Sequence, residues 1–212
     1  MNIAIFGASG ATGLPLTQRC LAAGHSVTAL LRRPEASPLR EAVRVVHGSA
    51  FDAEPVSRTI EGADAVLSTL GASSLGKEEV LERGVPQIIA AMQQQRVRRI
   101  VVLGAAGAIA HGWDDQSPWR RWIAEHIIVG MILKHPMASQ RAQYQALSAT
   151  DLDWTMVMPP MLTNSRSHGT WRIGANALPH KANRIAREDV AQFMLQQIDD
   201  PQWIKKAVYI AW

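Results

Sequence analysis

Gly7, Gly10 and Gly13 stand at a spacing of three, with Ser9 and Thr12 among them, directly after the apolar run Asn2–Phe6. A glycine-rich turn has chemical use only when a strand precedes it and a helix follows. Both conditions hold, because a helical pattern runs from Thr12 to about Ala23. Gly7 permits the sharp turn off the strand, Gly10 lets backbone approach a ligand with no Cβ between, and Gly13 lets the helix pack closely on the sheet. The first turn of a helix carries unpaired N–H groups and the positive end of the helix dipole, so it attracts an anion. The hydroxyls of Ser9 and Thr12 add donors there. The segment predicts a seat for the pyrophosphate of a dinucleotide.

Which dinucleotide depends on the end of the second strand, roughly 20 residues after the turn, where an acid would hold the ribose hydroxyls of NAD. The sequence there reads Leu30-Leu31-Arg32-Arg33-Pro34. A carboxylate would repel a 2′-phosphate, whereas guanidinium groups bind one with charge-assisted hydrogen bonds. Arg32 and Arg33 therefore favour NADP(H) over NAD(H).

Other chemistry-bearing residues give weaker patterns. The single cysteine, Cys20, shares a helical stretch with Leu16, Leu21 and Ala23 and reads as a buried structural thiol. The seven histidines show no metal-ligand spacing with one another or with acids, and no metal is expected. His111 alone falls in the loop after the fifth strand, where an active-site mouth would be. Tyr144 is followed four residues later by Ser148, so the Tyr-x-x-x-Lys pair that tunes a catalytic tyrosine is absent, and Tyr144 reads as packing. No residue is assigned a catalytic role.

The elements that would position these groups alternate from the start. Strands are predicted over Asn2–Phe6, Ser26–Leu31, Val43–His47, Asp64–Thr69, Arg99–Leu103, Trp154–Met158 and Ala207–Ala211. Helices are predicted over Thr12 to Ala23, Glu54–Ile60, Glu79–Gln95 and Arg187–Ile198, the first ended by Gly24-His25. Strands separated by helices imply right-handed crossovers and a Rossmann-type α/β fold, with a doubly wound, mostly parallel sheet flanked by helices. One domain over 1–212 is expected, with a small C-terminal substrate-side portion from about 154 to 212. The segment from Gly104 to Ala138 breaks the rhythm; Ile127, Ile128, Met131 and Ile132 read as core packing, while Trp113, Trp119 and Trp122 stay open between core and interface.

The 212 residues, 47% apolar and 19% charged, describe an ordinary globular chain. No apolar run approaches the ~20 residues of a membrane span, and Met1–Phe6 lacks the basic start of a signal peptide. With one cysteine, no oxidising compartment is required, and a cytoplasmic location is expected. The net charge of +4 raises a nucleic-acid reading. The basic residues are scattered, however, and Arg96-Val97-Arg98-Arg99 sits at a helix end, where cations complement the dipole and face solvent. Neither a nucleic acid nor a membrane is expected as a partner; the chain is expected as a monomer or homodimer.

The spacing Gly-x-x-Gly-x-x-Gly resembles the extended and atypical short-chain dehydrogenase/reductase group. Added to it, in order, are Val27-Thr28-Ala29-Leu30-Leu31-Arg32, Leu70-Gly71, Val157-Met158-Pro159-Pro160 and Ala186–Leu195. Over nearly the whole chain these resemble the NAD(P)H-binding, NmrA-like reductases that include flavin reductase/biliverdin-IXβ reductase. The resemblance implies that Gly7, Ser9, Gly10, Ala11, Thr12 and Gly13 hold the pyrophosphate and that Arg32 contacts the 2′-phosphate. It places Ser49 and Ala50 at the adenine, Leu70, Gly71 and Ala72 along the ribose, and Pro159 and Pro160 beside the nicotinamide.

The chain departs from that group near the chemistry. The adenine position often holds Asp where this chain has Ser49. A Thr-Ser pair after the fifth strand is replaced by Gly104-Ala105-Ala106-Gly107, and a histidine after the double proline by Met161. Hydride transfer belongs to the cofactor, so these losses leave redox chemistry open. A carbonyl reductase needs a general acid at the developing alkoxide, and none is evident. The expectation is an NADPH-dependent oxidoreductase reducing a planar flavin-like or quinone-like acceptor, with Ala105, His111, Trp113 and Met161 lining the acceptor pocket. The alternative is a non-catalytic NADP(H) sensor of the NmrA-like kind. An epimerase or dehydratase ranks last, because those enzymes also rely on the Tyr-Lys pair.

Overall fold

The apolar runs become strands whose alternate residues face opposite layers. In the computed structural model, which describes residues 1–71, 79–109, 112–123, 126–127, 131 and 133–212, β1 (Asn2–Phe6) sends Ala4 and Phe6 to one face and Ile3 and Ile5 to the other. All four are buried. Burial on both faces explains why such strands read as continuous apolar runs, each large side chain contributing about 1.5–3 kcal/mol.

Around β1 stand β2 (Ser26–Leu31), β3 (Arg44–His47), β4 (Ala65–Ser68), β5 (Arg99–Leu103) and β6 (Asp153–Met158). Beyond these lie β7 (Met161–Thr163), β8 (Arg172–Gly174), β9 (Arg184–Ala186) and β10 (Lys206–Ala211). The main sheet runs β3-β2-β1-β4-β5-β6-β10-β8, parallel throughout except for the antiparallel β10–β8 pair; β7 and β9 form a separate parallel pair. The strand order reverses direction between β1 and β4, which opens a crevice at their C-terminal ends.

The helices α1 (Gly13–Ala22) and α6 (Arg187–Gln196) cover one face. On the other lie α2 (Ala53–Ile60), α3 (Val80–Gln95) and α5 (Lys134–Ser148), with the one-turn α4 (Pro118–Trp122) beyond the strands' C-terminal edge. As expected, α1 ends at Gly24, which takes φ +80 while His25 N donates to Cys20 O and Gly24 N to Leu21 O. That is the paired bonding of a left-handed helix stop.

Three expectations need correction. Ile127 (39% exposed) and Met131 (76%) join neither core cluster. Both sheet faces are already covered by other helices, so this stretch has no layer to pack into; Ile128 and Ile132 lie outside the described residues. Arg99 is not a solvated cation either. Its Nε donates to the carbonyls of Gln197 (3.1 Å) and Ile198 (3.3 Å), just past α6, and its Nη2 to Thr155 Oγ1 (2.9 Å). Burial lowers its pKa. Helices α4 and α5 and strands β7, β8 and β9 are additions to the expected elements. No helix among the described residues is long and apolar enough to cross a membrane.

Candidate functional site

The glycine turn at the tip of β1 is held by its own geometry. Gly7 takes φ +83, and a Cβ on it would lie 2.8 Å from Thr69 Oγ1. A Cβ on Gly13 would lie 2.0 Å from the Gly7 carbonyl oxygen, so neither position admits a side chain. Gly10 N donates to Gly7 O at 2.9 Å and Leu14 N to Gly10 O at 2.9 Å, while the amides of Ala11, Thr12 and Gly13 make no backbone bond to a described residue. Free first-turn amides over a turn without side chains fit a pyrophosphate. Thr69 N–H donates to Phe6 O (2.9 Å) and its hydroxyl to Gly7 O (3.1 Å), which ties the tip of β4 to the turn.

The other expected cofactor residues lie along the same edge of the sheet. Arg32 and Arg33 follow β2, exposed and without an ion-pair partner among the described residues. Ser49, after β3, accepts from Phe51 N at 3.2 Å through its hydroxyl, and Ala50 is buried. Leu70 and Gly71 follow β4; Ala72 lies outside the described residues. Pro159 and Pro160 follow β6. From β2 to β5 the edge spans three strand intervals, about 14 Å, a length an extended dinucleotide can cover.

At the β5–β6 end of that edge opens an apolar cavity of about 500 Å³. Ala105, Ala106 and Gly107 form one wall, Pro159, Pro160 and Met161 another, and Trp113, Trp119, Ile123, Leu133 and Met137 the rest, with Gln116, Arg120, Ala182 and Asn183 also present. Three of the expected pocket residues, Ala105, Trp113 and Met161, thus meet here. His111 lies outside the described residues. Trp119 (64% exposed) and Met161 (62% exposed) stand at the open rim. Among the described lining residues Arg120 alone is charged, and none is Asp, Glu, His, Lys, Tyr or Cys. A Cβ on Gly104, before the cavity, would lie 2.5 Å from Met158 Sδ, so a side chain there would displace the buried Met158.

One polar residue near the site lies outside those picked from the sequence. Gln143 on α5 is fully buried, and its Nε2 donates to Leu103 O and to Gln140 Oε1, both at 3.0 Å. Among the described residues its Oε1 has no hydrogen-bond partner, nor does the buried indole Nε1 of Trp113. A buried Gln pair three apart on one helix face was the available clue.

Titratable groups with shifted behaviour serve the scaffold. Burial pushes the Cys20 thiol up to about 12 and the Tyr209 hydroxyl likewise to about 12. Tyr144 packs edge-on against Trp154 at 5.8 Å. Buried Asp189 accepts from Ser167 Oγ (2.5 Å), His168 N (3.0 Å), Gly169 N (3.0 Å) and Trp212 Nε1 (2.8 Å). Burial alone would raise its pKa, but these four bonds together hold it below the usual carboxylate value. No cluster of three or more His, Cys, Asp or Glu among the described residues could hold a metal.

A family model described as NAD(P)H-binding matches residues 7–201. The uncharacterized protein YwnB of Bacillus subtilis (strain 168) is 26% identical over 210 residues, 95% of this chain and 94% of its own. A 3-diazoavenalumate denitrifying reductase from a Streptomyces species is 32% identical over 122 residues, 52% of this chain and 40% of its own length. Among solved structures, ChuY, an anaerobillin reductase from Escherichia coli O157:H7, superposes with a TM-score of 0.80 at 19% identity, covering 100% of this chain and 97% of that one. At that identity the likeness speaks for the fold.

Proposed function

The chain belongs to the NAD(P)H-binding family, and on that footing we propose that it is an NADPH-dependent oxidoreductase that reduces a planar flavin-like or quinone-like acceptor. The observation that carries this reading is the position of the apolar cavity. It opens at the tips of β5 and β6, on the same sheet edge as the glycine turn and next to Pro159 and Pro160. A relative named as a reductase, matching about half of this chain, supports the reaction class.

In this reading Gly7 to Gly13 hold the pyrophosphate, with Ser9 and Thr12 as added donors. Arg32 and Arg33 select the 2′-phosphate, which makes NADP(H) the cofactor over NAD(H). Ser49 and Ala50 flank the adenine, Leu70 and Gly71 the ribose, and Pro159 and Pro160 the nicotinamide; Ala105, Trp113 and Met161 contact the acceptor. The bound cofactor supplies a hydride. The chain's part is to orient the acceptor flat against the donor and keep water from the transfer path.

The missing acid selects the acceptor. With no acid that titrates near neutral pH in the described lining, a ketone's developing alkoxide would lack the usual general acid. A flavin or quinone holds the incoming electron pair on a delocalised ring and takes its proton from water. The residues 154–212 would form the substrate side of a single domain. A buried thiol as the only cysteine suits a cytoplasmic setting.

A lining without an acid or base that titrates near neutral pH also suits a protein that binds NADP(H) without turnover and reports redox state to a partner. Purified protein mixed with NADPH and a panel of FMN, riboflavin and quinones distinguishes the two. The reductase reading predicts acceptor-dependent loss of the nicotinamide absorbance; tight NADPH binding with no loss in any mixture would leave the sensor reading.

A further inference from the structure

The large apolar side chains that stand exposed are not scattered. Among the described residues, five of the eight are Trp119, Trp122, Ile127, Met131 and Met161. Trp119 and Met161 line the mouth of the cavity, and the other three come from the stretch between the lining residues Trp119 and Leu133. Trp122 lies one turn on from Trp119 along α4, its ring stacked on that of His126 at 5.2 Å. Single exposed apolar residues need no explanation, but a cluster around one opening marks a contact surface.

The same rim is basic. From Trp154 to Arg187 the chain carries Arg166, Arg172, Lys181, Arg184 and Arg187 and no Asp or Glu. Arg184, exposed, is the register partner of Met161 in the β7–β9 pair. Lys181, also exposed, lines a hollow together with Trp119 and Arg120. None of Arg120, Lys181 and Arg184 has an ion-pair partner among the described residues, whereas Arg121 pairs with Asp114 at 2.9 Å. Beside these cations stands the exposed Asp115, whose carbonyl oxygen lies 2.9 Å from His180 Nδ1.

We propose that this rim docks on an anionic lipid surface, with the cavity mouth turned toward the acyl chains. At a bilayer surface tryptophan settles at headgroup level, aliphatic side chains reach just beneath it, and arginine and lysine meet the lipid phosphates. Trp119 and Trp122 match the first of these, Ile127, Met131 and Met161 the second, and Arg120, Lys181 and Arg184 the third. A second copy of the chain fits less well, because a two-fold contact brings the three cations toward their own copies. A nucleic acid would stack on the tryptophans and leave the aliphatic side chains in water. A surface contact of this kind needs no spanning run. The docking goes beyond the reductase reading and does not depend on turnover.

Co-sedimentation of the purified protein with phosphatidylcholine vesicles, with and without about 30 mol% phosphatidylglycerol, tests it. The anionic vesicles are expected to bind at least about tenfold more tightly at low salt, as three cations at the surface allow. The gap should narrow at about 0.5 M salt. Trp122→Ser combined with Met131→Ser, at exposed positions outside the cavity lining, should weaken vesicle binding at least about tenfold. The thermal melt and NADPH affinity of that double variant should match the wild type. Arg184→Glu should remove most of the preference for anionic lipid, and Arg184→Lys should keep it. Equal binding to both vesicle types, or wild-type binding by the double variant, overturns the proposal. So does the lack of any vesicle binding; a dimer that the double variant breaks, or capture of a single-stranded oligonucleotide, would then name the occupant. NADPH oxidation enters none of these readouts, so their failure leaves the reductase reading standing.

Discussion

The backbone N–H of Ala106 donates to the carbonyl of Pro159 at 2.9 Å, joining the turn after β5 to the double proline after β6. Two residues earlier, Gly104 N donates to Val157 O at 2.7 Å. These two bonds extend the β5–β6 pairing past the sheet edge, so the two walls of the cavity move as one. An acceptor seated against Ala105 is therefore fixed relative to the segment proposed to flank the nicotinamide. That rigidity is what a site needs when it supplies geometry in place of an acid or base.

If cavity volume at Ala105 is acceptor volume, Ala105→Phe should lower kcat/KM for the acceptor by more than about tenfold while NADPH affinity stays within about twofold. Steady-state kinetics with separate NADPH titration checks this. Parallel loss of both would mean that the residue supports the cofactor, or the fold, instead.

Cofactor choice turns on Arg32. Replacing it by Glu exchanges a cation for an anion at the proposed 2′-phosphate, and loss of a charge-assisted bond is worth about 1.5–3 kcal/mol. NADPH binding should weaken at least about tenfold, with NADH binding little changed. Nicotinamide fluorescence titrations of both cofactors give the ratio, and equal losses would count against the assignment.

Asp189 predicts an acid-sensitive fold. Its carboxylate is held below its ordinary pKa by Ser167, His168, Gly169 and Trp212 despite burial, so its contribution to stability is present above the unfolded value near 3.9. It is lost as pH falls through the lower, folded value. Asp189→Asn should cost about 2–3 kcal/mol at pH 7 and flatten the fall in stability below about pH 4. Thermal melts of both proteins from neutral to acid pH read the difference.

Cys20 should be inert in the native protein. Burial raises its thiol to about 12, so almost none is thiolate at neutral pH. Iodoacetamide should modify it slowly when folded and rapidly after denaturation, as read by intact mass. Fast labelling of the native chain would contradict the packing on α1.

Strands β1, β2, β4, β5 and β6 could be read from sequence because burial on two faces leaves contiguous apolar residues, edge strand β3 from its short β-branched run, and the glycine turn because all its chemistry sits in one stretch. Helix α5 was not legible. Of its buried residues Met137, Ser139, Gln140, Gln143 and Leu147, three are polar, so its inward face carries no apolar stripe. Strands β7, β8 and β9 have three residues each, too few for an alternation to register. Ile127 and Met131 misled for the opposite reason, being apolar where no layer covers them. The cavity was legible only in part: Ala105, Trp113 and Met161 followed from their place after strands, but Gln116, Arg120 and Asn183 reach it from turns and a one-turn helix that no periodicity announces.

The central claim is that a hydride passes directly from bound NADPH to an acceptor in the Ala105–Pro160 cavity. Its most direct test is a single-turnover mixing experiment with NADPH carrying deuterium at the transferred position of the nicotinamide. The account predicts acceptor reduction in step with nicotinamide oxidation, slower with deuterium than with hydrogen. Reduction at the same rate with both isotopes, or NADPH that binds and never reacts with any flavin or quinone, would contradict it.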